Sequence, residues 1–305
     1  MTVDYLTSTI LRSDRPVWVN PVGGLGDTIM VSTAMFRSFE RYGKKFNIAR
    51  RTAYTQMFSD HPAVERIGNP TPDDLLIMTD YWSRPEFETD GMTALSTLLK
   101  MFGSEPDPEA RLYLPRYTDA ALEMLLLALP GEDGRRVVVS PESDSPRKIT
   151  ARERWERLVA LLLDAGLTVI QTGRSYETPL PGAYSLLGAT TPRQLPEIIR
   201  EADLVITPDS YAMHAARAVE TPCLALFGPT DAARYHYPEG GRAVVGECPL
   251  GQLCLATATR SAYVSECPVE ESKRCTAADP GALAALALEM LKIKNGKDIT
   301  QNGKR

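Results

Sequence analysis

The sequence predicts an α/β protein made of two doubly wound, Rossmann-like domains, each on a parallel sheet. Three observations carry that expectation. Short apolar runs alternate with helix-length amphipathic ones, which is the rhythm of βαβ units. The rhythm restarts once, after the proline- and acid-rich stretch SEPDPEARLYLPRYTD at 104–119. A chain of 305 residues with 43% hydrophobic content is long enough to bury two cores. The expected division is a first domain over 1–125, a second over 126–293 and a disordered polar tail over 294–305.

In order, VWVN at 17–20 reads as a first strand and DTIMVSTAMFRSFERYG at 27–43 as a helix closed by Gly43. KFNIAR reads as a strand, TAYTQMFSD as a helix, DDLLIM at 73–78 as a strand, and TDYWSRPEF at 79–87 as a polar, aromatic loop. In the second half RRVVVSPES is a strand with a polar exit. TARERWERLVALLLDAG at 150–166 has the helical period, with Trp155, Leu158, Val159 and Leu162 on one stripe. LTVIQTG, LVITPDS and PCLALFGPTD read as strands, separated by the helices TPRQLPEIIREAD and AMHAARAVE. DPGALAALALEMLKI at 279–293 opens with an Asp cap and a proline in the first turn.

A formal charge of −5 argues against a nucleic-acid binder, which would carry a basic balance. The N-terminus has no apolar core of signal-peptide length, and no window approaches the roughly 20 apolar residues of a spanning helix. The expectation is a cytoplasmic protein with at most peripheral membrane contact.

Ligands of open parallel sheets sit beyond the carboxyl ends of the strands. The first such exit, NPVGGLGDTIM at 20–30, places the acid Asp27 behind three glycines, where a phosphate loop would exclude negative charge. SPESDSPRKI offers Ser140 and then the cations Arg147 and Lys148, able to face a diphosphate or else to be a solvated helix start. TPDSYAMHAARA places Asp209 and Ser210 at a helix N-terminus with His214 in its first turns. The bland alternative makes Asp209 an N-cap and His214 a packing residue.

Together these segments resemble glycosyltransferase family 9, the bacterial heptosyltransferases. The resemblance rests on Gly26-Asp27 at the first strand exit, on Lys148 seven residues before Trp155, and on Asp209, Ser210, His214, Ala215, Ala218, Pro222, Phe227, Gly228, Pro229 and Thr230 in order. It spans residues 17 to about 238. It implies the two-domain GT-B fold, with the domains facing a cleft. It also implies inverting transfer of a sugar from a nucleotide diphosphate, by default ADP-heptose in lipopolysaccharide biosynthesis, with no cofactor or metal at the reacting centre.

Carried over residue by residue, the resemblance makes Asp27 the general base. Lys148, with Arg147, becomes the cation facing the donor phosphates, Asp209 the acid at the donor sugar, and Ser210 part of the diphosphate turn. Ser140, Thr172, Gly173, His214, Gly228 and Thr230 complete the donor wall, with Glu177 at the nucleoside. Gly24 and Gly26 keep the acceptor's approach clear, and Tyr81, Trp82 and Arg84 either face the acceptor, stacking on a sugar or pairing with an anion, or cover the sheet. The acceptor is a glycan, a lipid-linked oligosaccharide or a protein.

The sequence departs from the family pattern at Tyr211, where the family has glycine. The tyrosine either points away, stacks on the donor or narrows the site. Two other readings stay open: a nucleotide-sugar 2-epimerase or hydrolase, for which His61, His214 and His236 are few, and an inactive nucleotide-binding relative.

Four cysteines, Cys248, Cys254, Cys267 and Cys275, are spaced C-x5-C-x12-C-x7-C. Four thiols so close in sequence suit a structural Zn or Fe site, local disulfides or free thiols, and the absence of a close C-x2-C pair leaves all three open.

Overall fold

The computed structural model of the chain describes residues 1–50, 54–131, 134–251, 253–255 and 263–292. The expected tail at 294–305 lies outside them. The chain divides into two compact units: Met1–Arg116 with Ala233–Tyr235, and Tyr117–Ala232 with His236–Arg305.

The first unit is built on a five-stranded sheet in the order β1-β5-β2-β3-β4, all pairs parallel. Its strands are β1 (Thr2–Val3), β2 (Val17–Asn20), β3 (Phe46–Ala49), β4 (Val64–Gly68) and β5 (Leu75–Met78). The central runs VWVN and FNIA are almost continuously buried, as strands covered on both faces must be. Leu25–Tyr42 forms the long helix after β2, stopped by Gly43 in the left-handed region at φ 68°. Its far neighbour is the segment around Tyr113, whose ring stacks on Phe36 at 3.7 Å and whose N–H donates to Thr33 Oγ1 at 2.9 Å.

The second unit carries six parallel strands in the order β11-β10-β9-β6-β7-β8. They are β6 (Arg136–Val139), β7 (Thr168–Gly173), β8 (Tyr184–Leu187), β9 (Leu204–Pro208), β10 (Cys223–Phe227) and β11 (Gly241–Val245). The expected stripe Trp155, Leu158, Val159 and Leu162 of the helix Arg152–Asp164 is buried against the β-strand side chains Val137, Val139 and Val169. Leu283, Ala284 and Ala287 of the terminal helix Pro280–Met290 join the same core. Asp279 caps that helix, accepting from the Ala282 N–H at 2.8 Å, with proline in the first turn.

Two differences from the sequence reading have physical causes. The described part of the expected helix TAYTQMFSD is a single 3-10 turn, Thr55–Phe58, ended where Asp60 takes φ 61° two residues before Pro62. Four strands were not expected, β1, β4, β8 and β11, and they are the four sheet edges. Edge strands are half-exposed, as the burial of β4 and β11 shows, so their sequences lack the unbroken apolar run.

Candidate functional site

In the first unit the chain passes from β2 to β3 and β4 on one side, then returns to β5 on the other. The crevice between β2 and β5 is therefore the switch point of the sheet, the place where doubly wound sheets take ligands. Asp27 follows β2 and Tyr81 follows β5, and the two meet there. Asp27 Oδ2 accepts from the Gly24 N–H at 2.7 Å, and Oδ1 accepts from the Tyr81 hydroxyl at 2.7 Å. Through the first of these bonds Asp27, the third helical residue, caps the N–H of Gly24, the glycine N-cap having no side chain to return the bond. Gly23 stands at φ 100°, and a Cβ there would lie 2.2 Å from Asp27 Oδ2. The glycine run thus makes room for the acid, and Gly26 lies in the first turn of the helix.

In the loop after β5 the structure separates the two readings of Tyr81, Trp82 and Arg84. Tyr81 is 3% exposed, its ring meeting Trp82 and Phe87 edge-on, so it presents no stacking face. Burial, then the Asp27 charge and then Tyr235, push its phenol well above the usual range, and it remains a protonated donor. Arg84 is buried and already held by Asp4 and, at 2.6 Å, by Asp80, so its anion comes from within the chain. Trp82, at 43% exposure, keeps an open face.

The second unit repeats the plan. Chain order places β6, β7 and β8 to one side and β9, β10 and β11 to the other, so its switch point lies between β6 and β9. Lys148 follows β6 and Asp209 follows β9. Lys148 Nζ lies 2.7 Å from Asp209 Oδ2, with side-chain exposures of only 12% and 6%. Thr230 Oγ1 donates to the same oxygen at 2.8 Å. Burial alone would raise the Asp209 carboxyl, but the Lys148 charge, with the hydrogen bonds from Lys148 and Thr230, outweighs it and holds it below its ordinary value. Lys148 also lies 5.8 Å from the centre of the Tyr263 ring.

Ser210, not Asp209, is the N-cap of the helix Tyr211–Val219. Thr207 Oγ1 donates to the Ser140 carbonyl at 3.0 Å, so the 2.8 Å contact between Thr207 Oγ1 and Ser210 Oγ has the serine as donor. His214 is buried with Nδ1 at 2.7 Å from the Tyr237 hydroxyl, and burial pushes it down to about 4, leaving it neutral at pH 7. Tyr211 turns its hydroxyl to the Pro192 carbonyl in the loop after β8.

Other expected donor residues are committed elsewhere. The Arg147 guanidinium donates to Ser265, at 3.1 Å to its carbonyl and 2.8 Å to Oγ, and keeps its charge there. Thr172 is fully buried within β7. A Cβ at Gly173 would lie 2.1 Å from Glu177 Oε2, the end of a side chain that can move, and one at Gly228 would lie 2.7 Å from Cys275 Sγ. Glu177 Oε1 accepts from the Arg174 N–H at 2.7 Å, and burial followed by the Glu142 charge raises its carboxyl. A cavity of about 400 Å³ opens beside Glu177, lined also by Glu142, Arg152, Trp155 and Tyr176 but by neither Lys148 nor Asp209.

All five cysteines carry free thiols. Burial and then the neighbouring Cys248, Cys254 and Cys267 push the Cys275 thiol up to about 11. Among the described residues, however, no group of three or more His, Cys, Asp or Glu side chains is gathered as metal ligands.

A family model described as glycosyltransferase family 9 (heptosyltransferase) matches residues 92–247, just over half of the chain. The chain belongs to glycosyltransferase family 9. As a member it is a glycosyltransferase, although no curated protein sequence matches it. Among solved structures, Escherichia coli ADP-heptose lipopolysaccharide heptosyltransferase II superposes with a TM-score of 0.63 at 14% identity, covering 91% of this chain and 99% of the other. The iron-containing dodecameric glycosyltransferase TibC of enterotoxigenic E. coli, also solved with ADP-D-β-D-heptose, gives 0.70 at 15%, covering 92% and 77%. E. coli heptosyltransferase WaaC with ADP gives 0.59 at 15%, covering 90% and 99%. At these identities the family 9 likeness shows the fold, two Rossmann-like domains of the GT-B type. No helix among the described residues is long and apolar enough to cross a membrane.

Proposed function

We propose that the protein is an inverting transferase that moves a heptose-type sugar from a nucleoside diphosphate to a hydroxyl of a glycan, lipid-linked or protein acceptor. ADP-heptose is the first donor to test, since TibC and WaaC were solved with ADP-heptose and ADP. The observation that carries the reading is that each unit places its charged groups at the switch point of its own sheet: Asp27 in the first, Lys148 and Asp209 in the second.

The chemistry follows from the residues. The acceptor hydroxyl attacks the anomeric carbon while its proton passes to the Asp27 carboxylate. The bond from that carbon to the diphosphate oxygen breaks, and its electron pair leaves on the nucleoside diphosphate. Attack opposite the leaving group inverts the anomeric centre. The Asp27 carboxylate, held by Gly24 and Tyr81, is the group that takes the proton. Negative charge grows on the leaving diphosphate, and the Lys148 ammonium with the helix N-terminus at Ser210 stabilises it more in the transition state than before it. The Tyr211 phenol on the Pro192 carbonyl supports a donor site that the side chain does not fill.

A structural metal at Cys248, Cys254, Cys267 and Cys275 belongs to the same proposal, supported by the iron of TibC. As the thiols stand they are not gathered as a ligand set, and no step of the transfer depends on them.

A thermal-shift screen against ADP, GDP, UDP and CDP tests the donor, because a ligand of the folded state raises the midpoint by mass action. A clear ADP preference is expected, and no response to any of the four would refute the donor reading. Asp27→Asn should abolish transfer while ADP affinity, measured by calorimetry, stays within twofold. Parallel loss of both would make Asp27 a structural cap only.

A further inference from the structure

We infer that Tyr81 is a positioning residue for Asp27, its buried hydroxyl fixing the second oxygen of the carboxylate that the helix cap leaves unfixed. The inference rests on the proposal that Asp27 is the base.

Capping the Gly24 N–H needs only one carboxylate oxygen, and here Oδ2 supplies it. With that bond alone the carboxylate keeps a rotational freedom about its last torsion, which is broad for an acid side chain. The Tyr81 bond to Oδ1 removes it. The tyrosine is itself immobilised. Met78 of β5 pairs with Asn20 of β2, the Val22 N–H donates to Thr79 Oγ1 at 3.0 Å, and Tyr81 begins the 3-10 turn that follows. Its ring is enclosed by Trp82 and Phe87 at centroid distances of 5.1 and 5.2 Å.

A further layer lies behind it. Tyr235 meets Phe87 edge-on at 5.9 Å and hydrogen-bonds with Tyr81. Arg234 lies over the Phe87 ring at 4.8 Å and donates to the Phe87 carbonyl. Among the described residues, the titratable and charged groups seen beside Tyr81 and Phe87 include Tyr235 and Arg234. A donor held against a carboxylate favours its ionised form, the form that accepts a proton.

Tyr81→Phe keeps the ring and removes the donor. Three measurements apply: NMR titration of Asp-labelled protein, with Asp27→Asn to assign the signal; the pH profile of ADP release from ADP-heptose with water as acceptor; and ADP affinity by calorimetry. The Asp27 signal and the acidic limb of the profile should both move up by about one pH unit, the effect of losing one charge-assisted hydrogen bond, with ADP affinity unchanged. An unmoved Asp27 titration overturns the inference whether or not Asp27 is the base. A titration that moves while the acidic limb stays refutes the base reading and, with it, any part for Tyr81 in the reaction. If Tyr81→Phe fails to fold, Tyr235→Phe removes the next hydroxyl, and a smaller shift in the same direction is required.

Discussion

Removing one member of the Lys148–Asp209 pair should destabilise the second unit more than removing both. The two side chains are 12% and 6% exposed and 2.7 Å apart, so water does little to screen either charge. Asp209→Asn keeps an oxygen for Thr230 but takes the carboxylate charge away from the buried ammonium. Breaking such a pair from one side costs about 3–5 kcal/mol. With about 2–4 °C of midpoint per kcal/mol for a domain of 150–250 residues, the drop is roughly 10 °C. Replacing the ammonium as well, in Lys148→Met with Asp209→Asn, removes the stranded charge and should restore most of the loss.

The pH dependence has a definite sign. The Asp209 carboxyl is held below its unfolded value of 3.8, so the unfolded chain binds that proton first as pH falls. Its contribution is complete above the ordinary carboxyl range and disappears as pH falls through the lower folded value. The gap between wild type and Asp209→Asn should therefore be widest at neutral pH and close in acid. Scanning calorimetry of the four proteins at pH 7 and in acid measures this. A double variant no more stable than the worse single variant, or an Asp209→Asn midpoint within 2 °C of wild type, would refute the argument. In the same proteins Lys148→Met should weaken ADP at least tenfold, and unchanged affinity would remove Lys148 from the donor site.

Gly23→Ala should lower the midpoint by the roughly 1–3 kcal/mol of a strained backbone and displace the Asp27 carboxylate, since the added carbon would lie 2.2 Å from Oδ2 at φ 100°. ADP release should then fall while ADP affinity holds, and full activity would show that the carboxylate's position is immaterial. Elemental analysis of protein purified under reducing conditions should find Zn or Fe near one per chain, and none would end the metal reading of the late cysteines.

Much of the site was legible in the sequence because its parts are local. Asp27 follows β2, Lys148 follows β6 and Asp209 follows β9, and polar residues at the ends of apolar runs announce themselves as strand exits. The alternative readings of Asp209 and His214 were half right: His214 is packed and neutral, while the cap is Ser210. Tyr81 read as facing an acceptor or covering the sheet, and its bond to Asp27 was hidden because that partner lies 54 positions away. Arg84 and Arg147 read as available cations for the same reason. Asp4, Asp80 and Ser265 claim them through contacts that no local pattern displays.

The sequence by itself determined the α/β class, the two-domain plan, the central strands with their helices, and the family to which the chain belongs. These depend on apolar periodicity and on motifs contiguous in the chain. Only the tertiary structure decided which strand exits adjoin. The order of strands in a parallel sheet is set by crossovers between segments far apart in sequence, and no single segment records it. That order makes β5 a neighbour of β2 and β9 a neighbour of β6. From it follow the tyrosine that holds Asp27 and the acid that holds Lys148.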